Sequence, residues 1–242
     1  MKTMKPYPLG WKKAPVDTRD WNLRNFIPPA KEEVSIKVMH WSFIGKSLTQ
    51  GYTGHCCGFG DANFLINNPI NTPCTNEDGH KFYYMCKVID GEPGNEEGSN
   101  IRSAAKVLQQ IGRIKNYAFA NDFETINWWL LNKGPLIVGT VWYEGMDMPD
   151  EYNVVHPTGA VRGGHCYIIN GLDETYYYAQ NSWGEGWGNN GAFRILIPDF
   201  IKIFTAAGDA ISAVEVGTEE VKKLSILELI INFIISLFKK GE

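Results

Sequence analysis

The 242-residue chain has little that would name a partner by charge: 23 Lys and Arg stand against 27 Asp and Glu, for a net charge of −4. No basic run is present that could follow a phosphate backbone, so no nucleic-acid partner is expected. The opening residues, "MKTMKPYPLGWKKAPVDTRDW", lack the uninterrupted apolar stretch of a secretory signal. There is no C-x-x-C pair, the usual half of a structural zinc site, and no internal repeat. The five cysteines (Cys56, Cys57, Cys74, Cys86, Cys166) are an odd number, which leaves at least one thiol outside any disulfide. Free thiols without a secretory signal point to a reducing, cytoplasmic setting.

What the chain does have is enough length and apolar content, 44% hydrophobic, to bury a substantial core. Residues 1–49 read as irregular, broken by Pro6, Pro8, Pro15, Pro28 and Pro29. A buried helix is expected from Cys56 to Asn68, with Gly58 and Gly60 lowering its propensity but allowing close backbone approach. A polar loop and a short apolar helix over 81–89 follow. Ser99 or Asn100 can cap a third helix, with Ile101, Ala105, Leu108 and Ile111 at helical spacing and Gly112 as its stop. A fourth helix, "FETINWWLLNKG", ends at Gly134-Pro135. After it the pattern changes to short β-rich runs, "PLIVGTVWY", "HCYIINGL", "TYYYAQNSW" and "GAFRILI". Helices first and strands second imply an α+β protein in two lobes.

The segment from Lys222, with "LSILELIINFIISLFKK", places Ser225, Glu228, Asn232 and Ser236 in one narrow polar stripe of a helix. Its apolar run of roughly fifteen residues is shorter than the ~20 that a bilayer span needs. It reads as an amphipathic helix over 222–242 that docks on its own domain or, through 224–238, contacts an oligomer, another partner or a membrane surface.

A cysteine at a helix start is a distinct chemical object, because the unpaired N–H groups and the helix dipole favour its thiolate. Acyl transfer by that thiolate also needs an imidazole, a group to orient the imidazole, and donors for the oxyanion. Cys56 opens the first helix and Gln50 lies six residues upstream. His165 starts a β-run in "RGGHCYIING", and Asn181 begins "NSWGEGWGNNG" at the end of the next strand, where an antiparallel pair brings the two together.

These blocks resemble the papain family of cysteine peptidases. "QGYTGHCCGFG" is similar to its cysteine motif, "GGHCYIING" to its histidine strand, and "NSWGEGWGNNGAFRI" to its Asn-Ser-Trp-Gly segment, in that order over residues 50–200. The resemblance implies a two-lobe fold, with a helical lobe at about 50–118 and an antiparallel, barrel-like β lobe at about 119–215. Residues 1–49 would pack across both lobes, completing a peptidase domain over 1–221. It makes Cys56 the nucleophile, His165 the base and acid, Asn181 its orienter and Gln50 the oxyanion donor. Trp183 would shield the His–Asn hydrogen bond and Trp187 would lie on the leaving-group side. Gly98, Ser99, Gly139 and Gly164 would border the acyl-side subsites. A peptide or polypeptide substrate follows, with no cofactor and no metal; bacterial peptidoglycan cross-bridges are one alternative substrate. The other is a non-catalytic binding role on the same fold.

The departures are as specific. Thr53 stands where the family has a cysteine, which removes its usual disulfide, while His55, Cys57 and Cys166 replace Ser, Trp and Ala. With 49 residues ahead of Gln50, no inhibitory propeptide is expected. A zinc ion on His55, Cys56, Cys57, His165 and Cys166 is disfavoured because adjacent residues of a helix point about 100° apart.

Overall fold

The computed structural model describes residues 6–28 and 38–214. The tail helix expected over 222–242 therefore lies outside the described residues. The element order is β1 (Met39–His40), α1 (Cys56–Ile66), α2 (Asn76–Ile89), α3 (Ile101–Gln110), β2 (Tyr117–Phe119) and α4 (Phe123–Asn132). It continues with β3 (Leu136–Tyr143), β4 (Val161–Leu172), β5 (Tyr176–Gln180), β6 (Ala192–Leu196), α5 (Ile197–Ala206) and β7 (Gly208–Ala213). The strands form one antiparallel sheet in the order β2-β7-β3-β4-β5-β6, with β1 added to β4. The sheet is antiparallel, as expected for the β lobe, and is open among the described residues, with β2 and β6 at opposite ends of the path.

All eleven residues of α1 are buried, so this helix is packed on every side. Glycine makes that possible. A Cβ on Gly58 would lie 2.3 Å from the backbone nitrogen of Tyr83 in α2, and one on Gly60 would lie 2.8 Å from Cys166 Sγ in β4. Each helical glycine costs about 1 kcal/mol in propensity. Full burial of one side chain such as Phe59 or Leu65 returns roughly 1.5–3 kcal/mol. The helix is thus held by its surroundings.

Local signals set the other helix starts. Asn100 accepts from Ser103 N and Asp122 from Thr125 N, as capping side chains do. α2 begins at Asn76, five residues before the expected 81, because Thr75 and Asp78 form a reciprocal capping box. The helix α5 and the strand β7 were not expected. One apolar cluster joins α1, α2 and α3 to the near side of β3, β4 and β7; a second lies on the far side of the sheet with α4 and α5. The site sits where α1 meets β4.

Candidate active site

Cys56 is the first residue of α1 and is fully buried. Burial, reinforced by the neighbouring Cys57 thiol, pushes its pKa well above the ordinary cysteine range, while a hydrogen-bond interaction with His165 pulls it down. Desolvation thus outweighs the imidazole and the helix start at this buried thiol.

His165 stands on β4, paired with Thr140 of β3. Its Nε2 lies 2.8 Å from Asn181 Oδ1. That same oxygen accepts the backbone N–H of Ser182 at 2.7 Å, so the Asn181 amide is oriented with its oxygen toward the ring. Nε2 consequently carries the proton, and Nδ1, buried and without an oxygen or nitrogen partner, is left as the free lone pair beside Cys56. The Trp183 ring stacks on the imidazole, with centroids 4.7 Å apart. Trp142 meets the same imidazole edge-on at 4.9 Å. Trp142 carried no signal in the sequence beyond being an aromatic in a β-run.

The expected subsite residues come together, and they are covered. Residues 7–14 run along the cleft as a strap. Tyr7 stacks on the outer face of Trp183, with centroids 4.5 Å apart and planes 9° from parallel. The Gly10 and Trp11 N–H groups both donate to Gly164 O, at 3.2 and 2.9 Å. Ser99 N donates to Gly10 O at 2.9 Å and Lys12 N to Ser99 O at 2.8 Å, a parallel bridge centred on Trp11 and Ser99. A Cβ on Gly98, whose φ is +88°, would meet Gly10 O at 2.0 Å. One on Gly139 would meet the Trp11 indole at 2.0 Å, and one on Gly164 the Trp11 backbone at 2.3 Å. Ala14 N then donates to the Asp209 carboxylate at 2.8 Å.

Two expected roles are modified by these contacts. Gln50 is buried, and its amide is oriented by accepting from Ser182 Oγ at 2.7 Å. Its Nε2 donates to Thr53 O at 2.6 Å and to the strap's Pro8 O at 3.3 Å. The donor foreseen for an oxyanion thus faces a carbonyl of the chain itself. Trp187, expected at the substrate surface, is instead fully buried, donates to Asp147 O at 2.7 Å and meets Trp183 edge-on. It buttresses Trp183 from the side. Cys57 turns to Ser99 O, 3.2 Å from its Sγ. The described residues contain no group of three or more His, Cys, Asp or Glu side chains placed to hold a metal ion.

A family model described as papain family cysteine protease matches residues 75–202, downstream of Gln50 and Cys56. Among curated proteins, cathepsin B-like cysteine proteinase 6 of Caenorhabditis elegans is 36% identical over 84 residues, 33% of this chain and 22% of that protein. Cathepsin B of Dictyostelium discoideum is 36% identical over 87 residues, 34% of this chain and 27% of that protein. The matched stretch thus spans about a quarter of these relatives' length. Among solved structures, xylellain, a cysteine protease from Xylella fastidiosa, superposes with a TM-score of 0.64 at 16% identity, covering 88% of this chain and 96% of that one. The bromelain protease of Ananas comosus, solved with the inhibitor E64, gives 0.57 at 16% identity over 73% of this chain and 98% of that one. At these identities the structures speak for the fold alone.

Proposed function

The chain belongs to the papain family of cysteine proteases, and on that premise we propose that it hydrolyses peptide bonds through a thioester formed on Cys56. The observation that carries this reading is the state of His165. Its Nε2–H is held by Asn181, and its Nδ1 is open beside the Cys56 thiol. His165 Nδ1 takes the thiol proton, and Cys56 Sγ attacks the carbonyl carbon. The oxyanion that forms is received by the Cys56 N–H and the Gln50 amide. The C–N bond then breaks as His165 returns the proton to the leaving amine. Water, deprotonated by the same nitrogen, cleaves the thioester and restores the thiol. A neutral amide as the partner of the imidazole lets the ring carry a charge without the carboxylate a serine-type triad uses.

The strap must leave before this chemistry starts. By the resemblance, Trp187, which Trp183 meets edge-on, lies on the leaving-group side, and Gly98, Gly139 and Gly164 lie on the acyl side. The strap runs from Tyr7 on Trp183 to Trp11 on Gly139, so its N-to-C direction is opposite to that of a substrate. It therefore blocks the cleft without presenting a peptide bond in the cleavable sense.

The test is iodoacetamide labelling of the full-length chain at pH 6, compared with Tyr7→Ala/Trp11→Ala. Releasing the two aromatic anchors should speed labelling of Cys56 at least about tenfold and bring out peptide hydrolysis, with both absent in Cys56→Ala. Labelling spread evenly over the five cysteines, or none at Cys56 in the released chain, would sink the reading.

A further inference from the structure

Directly before Cys56 in the chain stands a member of a second histidine cluster that the peptidase chemistry does not use. His55, the N-cap position of α1, is 1% exposed and directly precedes the nucleophile. Its ring stacks on Tyr83 of α2, with centroids 3.8 Å apart and planes 12° from parallel. Both of its nitrogens are engaged. Nδ1 lies 2.8 Å from His80 Nδ1 on α2, and Nε2 is hydrogen-bonded to the Glu96 carboxylate. Glu96 belongs to the loop between α2 and α3 that also carries Gly98 and Ser99.

That loop has other tethers. Tyr83 Oη donates to Asn95 O and accepts from Gly98 N, and Lys87 Nζ donates to Gly98 O at 2.8 Å. These come from α2. Among the described residues, the side-chain hydrogen bonds that reach the loop from α1 and its N-cap are His55 to Glu96 and the weak donor Cys57 Sγ to Ser99 O. We propose that His55 is a positioning residue: held between His80 and Glu96, it fixes the loop bearing Gly98 and Ser99 relative to the nucleophile at the start of α1.

Proton bookkeeping gives this clamp a defined breaking point. A carboxylate only accepts, so His55 Nε2 bears hydrogen and, in the neutral ring, Nδ1 accepts from His80 Nδ1–H. One added proton goes to the far nitrogen of His80 and leaves both bonds intact. A second would have to enter at His55 Nδ1, setting two N–H groups and two like charges against each other across 2.8 Å. The titratable groups facing these rings are Tyr83 and Tyr84 from α2 and Glu96 from the loop, and the Cys56 and Cys57 thiols lie beyond Tyr83. Glu96 is the one among them that favours added charge. Burial lowers the pKa of both histidines, so the second proton arrives only in acid.

The kinetic arm of the test rests on the peptidase reading; the exchange arm does not. The full-length chain carrying Trp11→Ala, to open the cleft, is compared with the same chain bearing Glu96→Ala, Glu96→Gln or His80→Asn. Amide exchange of residues 92–99, peptide hydrolysis from pH 4 to 8 and iodoacetamide alkylation of Cys56 are measured. Glu96→Ala should raise both loop exchange and KM about tenfold, while kcat and alkylation shift less than about twofold. Glu96→Gln, which keeps an acceptor oxygen, should recover most of the loss. His80→Asn keeps a donor for His55 Nδ1 but cannot be protonated, so the rise in KM at acid pH should disappear. Unchanged loop exchange in Glu96→Ala overturns the clamp. So does an equal loss in KM, kcat and alkylation, which would make the cluster a general support of the fold. If the opened chain neither hydrolyses peptide nor alkylates at Cys56, the peptidase reading fails and loop exchange still decides the clamp.

Discussion

His165 and His55 flank the same cysteine, one on β4 and the other directly before it in the chain, and both are buried. Their nitrogens are used differently. His165 has one nitrogen held by a neutral amide and one left open beside the thiol. His55 has both nitrogens spent, one on an imidazole and one on a carboxylate. A ring with a free lone pair can move a proton without breaking anything, whereas a ring with two partners must first lose one. Proximity to the thiol is therefore not what separates a base from a strut; unspent hydrogen-bonding capacity is.

Substitution breaks the comparison most sharply. In the strap-released chain, His165→Ala should lower kcat/KM by about 10³-fold or more, since the proton acceptor itself is lost. His55→Gln, which retains a donor in the place of Nε2–H, should cost no more than about tenfold by the same peptide assay. Equal losses would erase the distinction between the two rings.

A smaller effect is expected one step out from His165. Asn181→Ala leaves the imidazole in place without its anchor, and a misplacement of about 1 Å is worth about a hundredfold in kcat/KM. The deficit should lie mainly in kcat. A loss confined to KM would mean that Asn181 touches substrate and does not orient the ring.

The smallest effect concerns stability. Burial holds the pKa of His55 and of His80 below the ordinary 6.5, so below pH 6.5 the unfolded chain binds more protons than the folded one. Stability contributed by the two neutral rings is present above that pH and is lost as pH falls. Thermal unfolding of the full chain should accordingly move to lower temperature between pH 6.5 and 5, and the decline should be shallower in His80→Asn. A melting temperature that does not change over that interval would show that the rings titrate freely.

Much of this was legible in the residues. Capping side chains announced α3, and the Asn181 block with its preceding β-run announced the hairpin that brings Asn181 to His165. The start of α2 was missed because Thr75 and Asp78 were read as loop residues, when together they close a capping box. Residues 1–49 were expected to pack across the lobes, but their course along Gly98, Gly139 and Gly164 was not, for a different reason. "YPLGWKKAP" has no period of its own, and it takes an extended course only because Gly98, Gly139 and Gly164 leave room for its backbone and indole.

The sequence by itself determined the α+β class, the helix that begins at Cys56, and the residue types a thiol–imidazole site requires, since periodicity, caps and side-chain chemistry are local properties. Only the tertiary structure decided which histidine keeps an open nitrogen, that Gln50 and the glycine-lined groove are covered by residues 7–14, and that the Cys56 thiol is desolvated. Those outcomes depend on which polar groups meet across long stretches of chain and on how much water is left between them. Neither is written in any one segment.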